Sequence, residues 1–243
     1  MMNRALVTGA TSGIGLAIVE ELLKDDCYVY INYAHDSSKA NDVRKRLANY
    51  RESFDFIRAD LCEYKGIDNI ETALKDSGAK LSYLVINFGM TDRTAFDEVT
   101  IEDWEKVMRA NVSVPFFLIQ RLFSSGLFTN DASVLCMSSL MASIPHSVSV
   151  SYGVSKSALS TLSRNLVKYL APSGIRINAI EPGFVDTPWQ KEKSFDRRAR
   201  IEAKTALNRF AEPKEVAEIC IAALKNTYLT GSIIPISGGY GMV

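Results

Sequence analysis

The sequence predicts a doubly wound α/β domain: a parallel sheet of about seven strands covered by helices on both faces. Three observations predict it. Short β-branched runs alternate with longer segments of helical period along the chain. Several runs are apolar at consecutive positions, as strands buried on both faces require. A glycine-rich turn joins the first run to the first helical segment, the place where open sheets of this kind take a ligand.

Residues 4–8 (Arg4-Ala5-Leu6-Val7-Thr8) form the first expected strand. A helix follows over 14–24, with Ile14, Ala17, Ile18 and Leu22 on one stripe. Further strands are expected at 28–33, 54–59, 83–87, 133–137, 175–180 and 232–236. The helical segments between them cover 38–50, 66–75, 100–124, 151–170 and 213–224. Thr100 with Asp103 resembles a capping pair at the start of the longest one. Strand–helix alternation implies right-handed crossovers. Residues 1–243 show no linker, internal repeat or low-complexity tract, so one domain is expected. The segment 187–205 breaks the rhythm with Lys191, Glu192, Lys193, Arg197, Arg198 and Arg200. It is either a solvated helix or a lid over a site at the carboxyl ends of the strands.

Composition narrows the function classes. Apolar residues make up 47% of the chain, enough for a large buried core. Formal net charge is +0 at pH 7, so neither nucleic acid nor an anionic membrane is expected as a partner. The longest apolar stretch, 112–119, contains Pro115 and is too short to span a bilayer. Cys27, Cys62, Cys136 and Cys220 are widely spaced and read as reduced thiols. His35 and His146 are the only histidines, which argues against a zinc site or a histidine-based triad. No basic, apolar leader precedes the first strand. The expectation is a cytoplasmic protein with no metal.

The turn reads Thr8-Gly9-Ala10-Thr11-Ser12-Gly13-Ile14-Gly15. Gly9 permits a tight turn, Gly13 lets backbone approach a pyrophosphate, and Gly15 allows close helix–sheet packing. The helix amino terminus attracts the negative charge. Downstream, Tyr152 and Lys156 are four residues apart and share a helix face. Ser139 follows the strand run 133–137. A phenol, an ammonium and a hydroxyl converging on one point suit proton transfer to a carbonyl oxygen while a cofactor supplies hydride.

With these motifs the chain resembles the short-chain dehydrogenase/reductase family over essentially its whole length. The matching residues are Thr8 to Gly15, Asp60 with Leu61, Asn87 with Gly89, Asn111, Ser139, Tyr152 with Lys156, Pro182 with Gly183, and Thr187. Asn32-Tyr33-Ala34, the run from Arg209 to Pro213, and the ending from Ser237 to Met242 most resemble bacterial 3-oxoacyl-(acyl carrier protein) reductases. The resemblance implies a Rossmann-type oxidoreductase with Asn111, Ser139, Tyr152 and Lys156 as catalytic residues. Tyr152 is then the general acid in reduction. Lys156 lowers its pKa and holds the nicotinamide ribose. Ser139 orients the substrate oxygen, Asn111 helps hold a water chain, and Ser138 has a minor role. The cofactor is implied to meet Gly9, Thr11, Ser12, Gly13, Ile14, Gly15, Asn32, Tyr33, Asp60, Leu61, Asn87, Gly89, Pro182, Gly183, Val185 and Thr187. Relatives commonly form tetramers, so a homo-oligomer, tetramer or otherwise dimer, is expected.

No acidic side chain stands at the end of the second strand to bind a ribose diol and repel a 2′-phosphate. Asn32 and Tyr33 are there instead. Asp36 comes later, and His35, Ser37, Ser38 and Lys39 could receive a phosphate. NADP(H) is favoured and NAD(H) stays open, because Ser12 stands where many NADPH-dependent relatives carry a basic residue.

Two departures from the family pattern matter. Ile86-Asn87-Phe88-Gly89 replaces Asn-Asn-Ala-Gly. This removes an asparagine that braces the sheet and places a ring beside the adenosine ribose. The segments 128–131 and 171–174 carry no positive charge for an acidic carrier, which leaves Arg121, Arg176, Arg197 and Arg198 to compensate. The first-choice substrate is a 3-oxoacyl thioester. The alternatives are a sugar, polyol or other small secondary alcohol, with Met141, Ile144, His146, Phe184 and Trp189 as pocket candidates, and a non-catalytic binding protein on the same fold.

Overall fold

A computed structural model describes residues 2–145, 149–191 and 193–242; the pocket candidate His146 and the charged-segment residue Glu192 lie outside them. Seven strands form one parallel sheet in the order β3-β2-β1-β4-β5-β6-β7. They are β1 (Arg4–Val7), β2 (Tyr28–Tyr33), β3 (Phe54–Arg58), β4 (Leu81–Ile86), β5 (Phe128–Met137), β6 (Arg176–Pro182) and β7 (Ile233–Ile236). The chain builds outward from β1 to β3, then crosses back to β4 and builds the other way. Val7 therefore pairs with Ile31 on one side and Val85 on the other. The cleft opens at this reversal, beyond the carboxyl ends of β1 and β4.

Two apolar clusters sandwich the sheet. On one face, α1 (Gly13–Lys24) and α8 (Pro213–Lys225) bury Ile18, Val19, Leu22, Val216 and Leu224. On the other, α3 (Lys65–Asp76), α5 (Val114–Ser124) and α6 (Val150–Leu170) bury Ile70, Leu74, Leu118, Leu122 and Leu159. Both clusters use apolar positions at helical spacing, so each helix buries one stripe and leaves the other wet. Among the described residues no helix is long and apolar enough to cross a membrane.

Element boundaries follow the sequence expectation with informative exceptions. The segment 38–50 is α2 (Ser37–Arg46) and then a 3₁₀ turn at Ala48–Tyr50. β5 begins five residues before Ser133 because buried Phe128 pairs with Leu81; polar Thr129, Asn130 and Asp131 hid this start. The expected long helix 100–124 is α4 (Ile101–Met108), a π turn (Arg109–Ser113) and α5. Thr100 caps α4 through the Asp103 amide at 3.1 Å. Pro115 sits in the first turn of α5, where a missing N–H is tolerated. It removes the α-helical donor to the Asn111 carbonyl, and the chain widens into a π turn there. The segment 187–205 contains a 3₁₀ turn (Pro188–Gln190) and the short helix α7 (Phe195–Glu202).

Candidate active site

The cleft starts at the glycine turn. Gly9 and Gly13 have φ of +59° and +55°, values that L side chains rarely adopt. Ser12 precedes α1 without a side-chain cap, and the first turn carries no acid. Those backbone amides remain open for an anion. A Cβ on Gly15 would lie 2.5 Å from Asn87 Nδ2 and 2.8 Å from the Gly9 carbonyl. Glycine is therefore required for α1 to approach the sheet.

Asn87 explains why the loop survives without the first asparagine of the family pattern. Its Nδ2 donates to the Thr8 and Gly9 carbonyls at 3.0 Å each. Thr8 Oγ1 accepts from the Asn87 and Phe88 amides. The brace is thus still made, from β4 back to the turn. Phe88 is half-buried: it lines the cleft and packs against the α3–α5 face of the core.

The end of β2 differs from the sequence expectation. Asn32 is buried, and its amide nitrogen donates to the Ile57 and Ala59 carbonyls while its oxygen accepts from Gly9 N. That side chain ties the glycine turn to β3 and is not free to meet a ribose. Tyr33 sets its ring edge-on to Phe56. Asp36 caps α2 by accepting from the Ser38 and Lys39 amides at 3.1 Å; the Ser38 hydroxyl, then the Lys39 amide, hold its carboxyl down at about 2. Asp60 binds the Cys62 amide through Oδ1 and His35 Nε2 through Oδ2 at 2.9 Å. Leu61 is buried in the core, leaving only its backbone to flank a ligand. Arg58, which the sequence reading missed, donates to the Ala34 carbonyl at 3.3 Å and adds a cation at this loop. Only the pairing of Tyr33 with Arg58 brings it there.

At the far end, Ser139, Tyr152 and Lys156 line the same cleft as Gly9, Ser12 and Gly13. Ser149 caps α6 by accepting from the Tyr152 amide at 3.2 Å, which fixes the start of the helix. One turn on, Lys156 is buried and donates from Nζ to the Met137 carbonyl at 2.7 Å. Burial holds its pKa down to about 8. The Tyr152 hydroxyl hydrogen-bonds Ser139, which pulls its pKa down, but burial outweighs this and pushes it up. The expected lowering by Lys156 is not made within the protein: Nζ is turned to Met137 and lies 5.7 Å from the Tyr152 ring centroid. Asn111 bonds the Met90 amide, the Met90 carbonyl and Ser155 Oγ. Gly89 lies between Asn111 and Lys156, each 3.1 Å from where a Cβ would stand.

Two supports, Ser160 and Glu181, were not read from the sequence. Ser138 donates to the Lys156 carbonyl, and Ser160 Oγ lies 2.8 Å from both Ser138 Oγ and Glu181 Oε1, its one proton shared between the two. Glu181, buried on β6, also accepts from Ser143 at 2.8 Å. This carboxylate ties β6, α6 and the turn after Ser139 together. On the third side Thr187 closes on Gly13, 3.2 Å from where its Cβ would be. Pro182 and Gly183 line the wall, and buried Val185 bridges to Ala211. Thr11 is half-buried in the glycine turn. Among the described residues no cluster could hold a metal ion.

The cleft fits a dinucleotide. Positive-φ glycines, an uncapped helix start and a buried lysine lie along one groove at the sheet's reversal point. Fold and site together define a nicotinamide-dependent oxidoreductase of the doubly wound class. A family model described as enoyl-(acyl carrier protein) reductase matches residues 9–241. The chain is 35% identical, over 97% of its length and 95% of the relative's, to a Pseudomonas aeruginosa rhamnolipids biosynthesis 3-oxoacyl-(acyl carrier protein) reductase. It is 31% identical to Bacillus subtilis glucose 1-dehydrogenase 2, over 97% and 93% of the two chains. A solved NADP active-site complex of Pseudomonas aeruginosa RhlG superposes with a TM-score of 0.91 at 31% identity, covering 98% and 96%. The chain belongs to the short-chain dehydrogenase/reductase family.

Proposed function

We propose that this protein reduces a ketone to a secondary alcohol with NADP(H), and that a 3-oxoacyl thioester is its first-choice substrate. The carrying observation is the Ser139–Tyr152 hydrogen bond at the end of the cleft that starts at Gly9 and Gly13. The bound cofactor supplies the hydride. Ser139 orients the carbonyl oxygen. Tyr152, whose raised pKa keeps it a phenol at neutral pH, donates the proton as negative charge develops on that oxygen. Lys156 holds the nicotinamide ribose, and Asn111, with its carbonyl freed by Pro115, carries protons back toward it. Asp60 and Leu61 flank the adenine. Thr187 and the Val185 backbone hold the carboxamide. The segment 187–205 acts as the lid.

NADP(H) is supported by the lack of a free acid at the end of β2: Asp36 is engaged by α2, while Arg58 faces this loop. The NADP complex of the RhlG relative agrees with this. The glucose dehydrogenase relative favours a second reading, oxidation of a sugar or polyol. Four free cysteines, three of them buried, fit a reducing cytoplasm. Exposed Trp104 and Phe117 on α4 and α5, with Val154 and Tyr169 on α6, support a homo-oligomer.

Oxidation of NADPH and, separately, NADH with acetoacetyl-N-acetylcysteamine tests the reading. Turnover preferring NADPH is expected. Crotonyl thioester, carrying the double bond of an enoyl substrate, is expected to be inert. Turnover of glucose with NADP⁺ but none of the ketothioester would move the assignment to the sugar reading.

A further inference from the structure

Next to the catalytic cleft lies a second chamber of roughly 790 Å³, with Tyr152 on its inner wall. Its outer wall carries Lys193, Arg197, Arg200 and Lys204, and no carboxylate lines it among the described residues. The chain as a whole has no net charge, so this concentration of one sign is local. Two cations nearby in the chain are matched: on the same helix Arg198 pairs with Asp186 at 3.0 Å, and Arg209 pairs with Glu215. Among the described residues Lys193, Arg197, Arg200 and Lys204 have no such carboxylate within ion-pair distance.

Lys193 is the informative member. It lines both the cleft that holds Ser139 and Lys156 and the outer chamber. Its Nζ lies 6.0 Å from the Phe184 ring centroid, a weak cation–π position. Burial, then Arg197 and Arg93, hold its pKa down, as expected of a cation crowded by its own kind. A solvated charge run would point into water, away from the chemistry. Here the half-buried lysine lines the same chamber as Tyr152 and the other cations.

We infer that this wall receives a carboxylate or phosphate carried by the ketone substrate itself, with Lys193 as its main anchor. The inference rests on the ketone-reduction reading and narrows it to substrates with an anionic end. The remaining cations raise the local concentration of such substrates, and the aromatic side of Phe184 and Trp189 takes the body between the two ends.

Matched pairs test it. The rates with 6-oxoheptanoate and its methyl ester are compared, and likewise dihydroxyacetone phosphate with dihydroxyacetone. The anionic member of at least one pair is expected to show kcat/KM higher by about tenfold or more, as for a hydrogen bond to a charged group. Which pair responds identifies carboxylate or phosphate. Lys193→Met is expected to collapse that ratio toward one, and Lys193→Arg to restore most of it. Equal or better turnover of the neutral members, or a ratio unchanged in Lys193→Met, overturns the inference and leaves ketone reduction standing. If no pair is turned over, calorimetry decides. Binding of 6-oxoheptanoate or dihydroxyacetone phosphate to the wild type but not to Lys193→Met supports the anion site, and no binding to the wild type overturns it. Turnover of the neutral ketothioester separately reports whether the ketone-reduction reading holds.

Discussion

Tyr152→Phe is expected to retain the fold and cofactor affinity and to lose about 10²- to 10⁴-fold in kcat, the usual worth of a positioned acid. The variant removes one oxygen. The helix start is set by Ser149 and the Tyr152 backbone amide, which phenylalanine keeps. The ring stays against Trp189, with centroids 6.4 Å apart. What disappears is the hydroxyl that combines a phenol's proton with a hydrogen bond to Ser139. Burial raises the Tyr152 pKa, so at neutral pH the group enters the reaction protonated. Reduction therefore needs no prior proton uptake, and the loss in the variant should be nearly flat between pH 6 and 8. The measurements are single-turnover NADPH oxidation and NADPH fluorescence on binding. Unchanged turnover with intact binding would falsify the assigned acid.

The parts of this site that the sequence made legible are those whose geometry is local. Gly9, Gly13 and Gly15 sit at fixed offsets from a strand end, and positive φ at two of them follows from the turn itself. Tyr152 and Lys156 share a face because a helix repeats every 3.6 residues. The alternation of strands and helices carries the topology, since right-handed crossovers leave few ways to order seven parallel strands.

What the sequence did not show depends on contacts between distant segments. Asn32 was implied to meet the cofactor because it stands near the end of β2, but its direction is set by hydrogen bonds to Ile57 on β3 and Ala59 just beyond it. Arg176 was a candidate for meeting an acidic carrier. It sits at the start of β6, the opposite end of the strands from the cleft, and donates to the Leu224 carbonyl in α8 and the Leu229 carbonyl beyond it. Arg121 pairs with Asp68 and Glu71 on α3. Of the four cations considered for that role, Arg197 alone lines the chamber. Pro115 was visible, but a helical period read across it hid the π turn that sets Asn111 against Met90 and Ser155. Glu181 gave no local signal, and Lys193 stood out only as one member of the charged segment 187–205. Each matters only through what the fold brings beside it.

Lys156→Met should separate function from stability in opposite directions. Turnover is expected to fall by about hundredfold or more, because the group proposed to hold the nicotinamide ribose and to feed protons to Tyr152 is gone. The protein without cofactor should nevertheless become more stable at pH 7. Burial holds Lys156 at about 8, against 10.5 for a free lysine. Between those values the unfolded chain binds more protons than the folded one. Stability therefore rises with pH across that window, and the full penalty is present below about pH 8. That penalty is about 3 kcal/mol at neutral pH. Loss of the 2.7 Å bond to the Met137 carbonyl offsets about 1 kcal/mol. The net gain of about 2 kcal/mol corresponds to a melting temperature higher by about 4–8 °C for a chain of this size. At pH 10.5 the unfolded lysine is only half protonated and the penalty has shrunk to about 0.4 kcal/mol, less than the lost bond is worth, so the variant's advantage should disappear or reverse slightly. Calorimetric melting of both proteins at pH 7 and pH 10.5 checks the sign. A variant less stable than wild type at pH 7 would mean that the ammonium is better solvated than its burial implies. A gain that disappears at high pH would locate the stored cost of catalysis at one buried charge between Met137, Gly89 and Tyr152.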